Sequence, residues 1–429
     1  MSLFNEFQSK LNHHHYLIAF SGGLDSTALL SLFAKSREIQ PHLQLRAIHI
    51  HHGLSPNANQ WLEHCQQICR QFNIPLITRK VQVNKKNGIE QGAREARYQA
   101  IFEECLPNEV VATAHHLQDQ TETFFLSLKR SSGVKGLSAM QIESELFGMR
   151  IFRPLLNDKK EDLETYLRAE KLTWIEDESN DDNRYERNFL RNQILPKLRE
   201  RWAFFDQAVQ TTAQLCYNQQ QLLNELLADE FSQNYNENDR TFNVSHFAKY
   251  SVNKQNALLR MWLEELGEPL LGEQALAILL KEVIFAPKDA NPQYVLRDKT
   301  IRRYQNKLYL VPKLTDVSYF CAELRIGQIM LLHDYLGDLQ LFKTSENLTA
   351  LWRIGAHEFK STLPLTNEKI TVRFGYSGTV KLHAQDLNRD IKKVWQNLGV
   401  PVWQRTRIPL IFYGDRLKSA VGFFENFGE

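Results

Sequence analysis

Residues 16–32 read YLIAFSGGLDSTALLSL. The apolar run 16–20 has the character of a buried strand; it breaks at Ser21, Gly22 and Gly23, and a helical apolar spacing takes over around Ser26. Adjacent glycines let the main chain turn sharply and come close to a ligand. The amides that open the following helix lack intrahelical partners and carry the positive end of its dipole. These features together make a cradle for phosphate oxygens, formed by residues Ser21, Gly22, Gly23, Leu24, Asp25 and Ser26. Asp25 would repel a bare polyphosphate; it makes sense where it reaches a magnesium ion bound to one. No G-x-x-x-x-G-K-[ST] spacing places a lysine over a terminal phosphate, which argues against a kinase or GTPase.

Working outward, strand-like segments at 45–50, 76–83 and 110–115 alternate with helical patterns at 59–72, 88–106 and 119–128. Such alternation predicts right-handed crossovers and a doubly wound, mainly parallel α/β sheet. Ligands in these sheets sit at the carboxyl ends of the strands, where Ser21, His51, His52, His115 and His116 all fall.

The composition suits that reading. At 429 residues the chain is long enough for two or three domains, and its 43% hydrophobic and 24% charged content is that of a globular protein. A formal charge of +2 leaves any nucleic-acid binding to the local distribution of charge. Five cysteines without a C-x-x-C pair predict reduced thiols in a cytoplasmic protein and argue against a metal or iron–sulfur site. No apolar stretch approaches the length of a membrane span.

The densest polar cluster is 113–137, TAHHLQDQTETFFLSLKRSSGVKGL. With Asp119 opening a helix, Glu122 lies about one turn along and His115 sits on the loop before it. Two carboxylates and a histidine at a strand end can hold a cation, orient an amine or move a proton; by itself, Asp119 can equally be a helix cap and Glu122 a solvated residue. Lys129, Arg130 and Lys135 around Gly133 and Gly136 form either a second anion-binding turn or a loop. Segment 174–191, WIEDESNDDNRYERNFLR, turns from acidic to basic at Arg184, Arg187 and Arg191.

Ser21–Ser26 resembles the SGGxDS loop of the PP-loop ATP pyrophosphatase superfamily. HHGL at 51–54, GAREARY at 92–98, AHHLQDQTET at 114–123, RSSGVKGL at 130–137, RPL at 153–155, and Asp177, Ser179, Asn180, Arg187, Asn188 and Arg191 stand in the order seen in the tRNA(Ile)-lysidine synthases, which the chain resembles nearly end to end. Ser55, Ser131 and Glu178 depart from the family's usual arginine, glycine and proline. The resemblance implies a PP-loop, adenine nucleotide alpha hydrolase-like catalytic domain over 1–216, a small, mostly helical tRNA-binding domain with a linker helix over 217–315, and an α+β tRNA-binding domain over 316–429. It implies ATP and Mg2+, free L-lysine and a tRNA(Ile) with a CAU anticodon, and a monomer or homodimer. The reaction it implies is adenylation of the wobble cytidine followed by attack of lysine. On that resemblance Asp25, His115, Asp119, Glu122, Arg94 and Arg97 are catalytic candidates, with Asp25 and Asp119 toward the metal. Arg187, Asn188, Arg191, Lys392, Lys393, Arg405 and Arg407 are candidates for lysine or tRNA.

Beyond 196 the chain reads as a long helix to 231, helical patterns at 257–285, a hairpin at 294–311 with Arg297, Lys299, Arg302 and Arg303 among Tyr304 and Tyr309, and strands at 370–374 and 410–413 around a helix at 387–398. Between them PVWQRTRIP, read as extended chain, points Arg405 and Arg407 to one side. A tRNA thiolase, a noncatalytic tRNA-binding protein and an amide ligase remain the alternatives.

Overall fold

The computed structural model describes residues 2–51, 53, 57–82, 89–287 and 290–428. His52, Leu54, Ser55 and the expected strand and helix ends at 83–88 lie outside the described residues. The chain divides into one compact unit ending at Leu226 and another beginning at Leu227.

In the first unit, strands β1 (His15–Ala19), β2 (Gln44–His51), β3 (Leu76–Lys80), β4 (Val110–Ala112), β5 (Glu143–Leu146) and β6 (Met149–Phe152) form one sheet in the order β3-β2-β1-β4-β6-β5. All neighbours run parallel except β5, which pairs antiparallel with β6. Period-two alternation sends Tyr16 and Ile18 to one face and Leu17 to the other, and both faces are dry. Helices α1 (Leu3–Ser9), α2 (Leu24–Ile39), α3 (Ala58–Gln71) and α7 (Lys160–Ala169) give Phe7, Leu29, Phe33, Cys65, Ile68, Leu163 and Leu167 to the first core; α4 (Ile89–Glu104) gives Tyr98 and Ile101 to the second. After β1 the chain fills β2 and β3 on one side and then crosses to β4 on the other, so the crevice between the ends of β1 and β4 is the topological switch point.

Two further helices, α5 (Leu117–Lys129) and α6 (Val134–Leu137), follow β4. Farther on, a helix over Glu186–Phe189 widens into a π turn at Leu190–Ile194 before Leu195–Arg201. Pro196 accounts for the widening: it has no N–H, its ring would crowd the carbonyl four residues back, and the Leu195 amide reaches Leu190 O instead. The helix expected from 196 to 231 is interrupted: Leu195–Arg201 ends at Trp202, whose backbone is extended, and a 30-residue helix, Phe205–Asn234, follows.

Within the second unit, helices Val252–Glu265 and Glu273–Leu279 bury Trp262, Leu263 and Leu276 against a five-stranded antiparallel sheet. The hairpin expected at 294–311 is three strands of that sheet, Gln293–Leu296, Lys299–Tyr304 and Lys307–Pro312. The C-terminal part is α+β, with five- and four-stranded antiparallel sheets and a helix at Ile391–Asn397 around one core.

Candidate active site

The loop after β1 is built as its glycines demand. Gly22 has φ +86°, the left-handed region that side chains disfavour, and a Cβ there would lie 2.6 Å from Ile175 Cδ1 and 2.8 Å from Cys65 Sγ. Gly23 is the N-cap of α2 and offers no side chain to its amides. Ser26 Oγ donates to Gly23 O at 3.0 Å and lies 3.0 Å from Ser21 Oγ, while Thr27 Oγ1 donates to Gly22 O at 3.3 Å. The bend is thus tied from within, leaving the α2 end facing the switch-point crevice.

Across that crevice α5 starts two residues before the expected Asp119. His116 is its N-cap: Nδ1 accepts from Gln118 N at 3.2 Å, and Asp119 Oδ2 accepts from His116 N at 3.1 Å. While the ring is neutral the cap uses the Nδ1 lone pair and the proton sits on Nε2, which stands 3.4 Å from both Asp25 Oδ2 and Asp119 Oδ2. His116, which sequence reasoning places at a strand end without a role, therefore joins the phosphate loop to the acidic cluster. Burial works against charge on His116, but Asp119 and Asp25 outweigh it and lift its pKa to about 9. Burial likewise opposes ionisation of Asp119, yet His116, His115, Arg187 and Arg191 hold its pKa below the ordinary carboxylate range.

Asp25 Oδ1 is buried and has no hydrogen-bond partner. An orphaned carboxylate oxygen beside a phosphate cradle is what a shared hard cation requires. Among the described residues no group of three or more His, Cys, Asp or Glu side chains is placed to hold a metal ion by itself. The donor set fits a cation held partly by a polyphosphate.

Glu122, with its side chain fully buried, takes a bidentate grip from Arg191, Nε to Oε1 at 2.7 Å and Nη2 to Oε2 at 2.9 Å; Arg191 Nη2 also reaches Asp119 Oδ1 at 3.2 Å. Burial raises the Glu122 pKa against the opposing hydrogen bond from Arg191. Arg187 Nη2 donates to Thr123 Oγ1 at 3.1 Å. Asn188 is a brace, its amide donating to Ser179 O at 2.8 Å and Asp182 O at 3.1 Å.

His115 makes its hydrogen bond elsewhere. Its Nδ1 lies 2.8 Å from Thr113 Oγ1, and burial, helped by Arg153, Arg187 and Arg94 against the charge of Asp119, brings its pKa down to about 3. It stays neutral and is a poor base near pH 7. Arg94 packs over the Tyr98 ring at 5.1 Å. Arg97 is exposed, and its pKa is lowered by loss of hydration, with the charges of Arg94 and Arg187 adding to the effect.

Several candidates of the second unit are placed otherwise than extended chain implies. Val402–Arg405 is a helical turn, so Arg405 and Arg407 do not share one side of a strand. Arg405 Nε donates to Val400 O at 3.0 Å. Arg407 is buried and held on three sides: Nη1 meets Asp334 Oδ2 at 2.7 Å and Thr315 O at 3.0 Å, and Nη2 meets Asp334 O at 2.6 Å. Arg303 donates to Ala286 O and Pro287 O, Lys299 pairs with Glu268, and Arg302 lies over the Trp403 ring at 5.4 Å. Lys392 and Lys393, at the start of the helix Ile391–Asn397, are exposed.

Comparison with known proteins agrees with this geometry. A family model described as the PP-loop domain matches residues 2–198, one described as the TilS substrate binding domain matches 242–309, and one described as the TilS substrate C-terminal domain matches 370–426. A tRNA(Ile)-lysidine synthase of Actinobacillus succinogenes is 60% identical over 427 residues, covering 100% of both chains. One from Haemophilus influenzae is 54% identical over 435 residues and one from Histophilus somni 53% over 431 residues, again covering 100% of both chains. The glycine bend, the acidic cluster across the switch point and full-length identity lead to one conclusion: the chain belongs to the tRNA(Ile)-lysidine synthase family.

Proposed function

We propose that the chain joins free L-lysine to carbon 2 of the wobble cytidine in the CAU anticodon of tRNA(Ile), consuming ATP and releasing AMP and pyrophosphate. The lysidine formed pairs with A instead of G, so AUA is read as isoleucine. The observation that carries the reading is the Asp25 carboxylate, set between the glycine bend and the His116–Asp119 pair with one oxygen unpartnered.

A cytosine carbonyl oxygen is a poor leaving group, and adenylation makes it a good one. Oxygen 2 attacks the α-phosphorus, the bond to the bridging oxygen breaks, and pyrophosphate departs into the loop of Ser21, Gly22, Gly23, Leu24 and Ser26. Asp25 and Asp119 are the residues that would hold Mg2+, which when bound supplies charge neutralisation on the phosphates. The ε-amine of lysine then forms its bond to carbon 2 as AMP leaves. A lysine ammonium must lose a proton first, and Glu122, whose burial favours its protonated form, is the acceptor. His116 Nε2–H fixes the two carboxylates relative to each other. His115, neutral and hydrogen-bonded to Thr113, orients rather than transfers. Arg94 and Arg97 suit a lysine carboxylate or an anticodon-loop phosphate, and Lys392 and Lys393 suit tRNA phosphates. The reaction belongs to the cytoplasm, where free lysine, ATP and tRNA meet.

A thiolase reading lacks support from the thiols. Burial pushes the Cys65 and Cys69 pKa values up to about 12 and raises that of Cys105, so none is poised as a thiolate. Incubation with ATP, radiolabelled lysine and total bacterial tRNA tests the proposal. Label entering one tRNA species is expected; a product that contains sulfur and forms without lysine would overturn it.

A further inference from the structure

Segment 174–191 is fixed at both ends, and its two anchors are the two halves of the site. At its start, Ile175 N donates to Gly22 O at 2.9 Å, and Ile175 pairs with Gly23 in a parallel bridge, so the segment adds a short rung to the phosphate loop itself. The Ile175 side chain fills the space beneath the bend: its Cδ1 is 2.6 Å from where a Gly22 Cβ would stand. From there Asp177 caps Ser179 N at 2.9 Å, Asn57 donates to Glu178 Oε1 at 2.7 Å, Asn188 ties Ser179 to Asp182, and Asn192 donates to Asn180 O at 3.0 Å. The segment ends on Arg187 and Arg191, which hold Thr123, Glu122 and Asp119. A bend at φ +86° has little intrinsic preference for one geometry, because glycine visits many conformations. Something outside the loop has to set it, and the side chains that press on it are those of Ile175 and Cys65.

We propose that Ile175 is a positioning residue for the nucleotide: it sets the main chain at Gly22 and, through 174–191, ties the pyrophosphate loop to the guanidinium groups on Asp119 and Glu122. The inference rests on reading 21–26 as the pyrophosphate loop. It predicts that loosening Ile175 weakens ATP first and lysine second, because displacement of the bend is passed along a braced segment to Arg191.

The test uses the full chain with tRNA. Ile175→Ala keeps the amide that bonds Gly22 O and empties the space beneath the bend; KM for ATP should rise about tenfold, less than the roughly hundredfold that a full 1 Å misplacement can cost. A smaller rise in KM for lysine should accompany it. Ile175→Val should show smaller but measurable rises in both. Leu163→Ala, which empties a fully buried position of the same core on α7, serves as the stability control and should lower Tm while leaving KM for ATP as in the parent. Should Ile175→Ala fail to accumulate, Ile175→Val carries the same test through a smaller rise in KM. An Ile175 variant whose KM for ATP matches the parent, or is matched by Leu163→Ala, overturns the proposal. Gly22→Ala separates the two readings. If it binds ATP as the parent does, the pyrophosphate-loop assignment itself fails. If it weakens ATP while Ile175→Ala does not, only the positioning role falls.

Discussion

Arg191 grips Glu122 at 2.7 and 2.9 Å, and Arg407 meets Asp334 at 2.7 Å; both are arginine–carboxylate pairs largely withdrawn from water. Around Arg407 two main-chain oxygens, Thr315 O and Asp334 O, join the carboxylate in accepting from the guanidinium. Around Arg191 the matching is incomplete. Asp25 Oδ1 is left without a partner, a second carboxylate crowds the first, and neighbouring histidines are driven to opposite extremes, His115 down to about 3 and His116 up to about 9. Burial and charge type alone do not separate a candidate site from a structural pair. Other buried polar atoms also lack a partner, and what sets Asp25 Oδ1 apart is its place beside the glycine bend and the His116–Asp119 pair.

The largest effect that would break this contrast is expected at Asp25. Asp25→Asn keeps the shape but removes the charge that the cation needs, and adenylation measured as tRNA-dependent pyrophosphate release should fall about a thousandfold, roughly 4 kcal/mol in the barrier, with tRNA affinity nearly intact. Unchanged turnover would mean that the unpartnered oxygen is incidental.

Next comes Arg407→Ala, which leaves the Asp334 carboxylate with the Thr315 amide alone and should cost about 3 kcal/mol of stability, read as a lower Tm. KM for ATP and for lysine should not move. A change in either KM at constant Tm would erase the distinction between the two pairs.

The third test is pH. A histidine whose folded pKa is raised contributes stability that is complete below its unfolded value, near 6.5, and is lost as pH climbs through the folded value. Tm should therefore decline between about pH 6.5 and 9. His116→Asn should flatten that decline. The Gln118 amide opposes protonation of Nδ1, so a parent profile that is already flat would show that the helix cap, not the carboxylates, governs the ring.

The smallest effect is expected at Lys392 and Lys393, which are exposed and so cost little to remove. Replacing both with alanine should leave the folded chain intact and reduce the slope of log affinity for tRNA against log salt by about one for each phosphate that no longer meets a lysine. A slope identical to the parent's would take these lysines out of the interface.

What the sequence makes legible follows from the range over which each feature is decided. The phosphate loop is readable because its determinants, two glycines and a helix start, are local, and the strand–helix alternation points to the parallel sheet for the same reason. The cap on α5 lies away from its expected place because Asp119 is a common capping type, whereas a histidine that caps through Nδ1 leaves no pattern. Arg405 and Arg407 invite an extended reading two residues apart, but Arg407 is claimed by Asp334, 73 residues earlier in the chain, and nothing in the local spacing could announce it. Ile175 carries no chemistry in its side chain. Its part emerges only once Gly22 is seen to need a neighbour beneath it.

The π turn at Leu190–Ile194 has a geometric consequence for how tightly chain length is constrained here. Such a turn is an α-helix carrying one inserted residue, and each residue of an α-helix advances by about 100°. Arg187 lies before the insertion and Arg191 within it. Removing one residue between the two arginines would shift their register and swing one guanidinium about a quarter of a circle away from the Glu122 carboxylate that both now approach. Spacing in this stretch is therefore as much a determinant of chemistry as the identity of the side chains it carries.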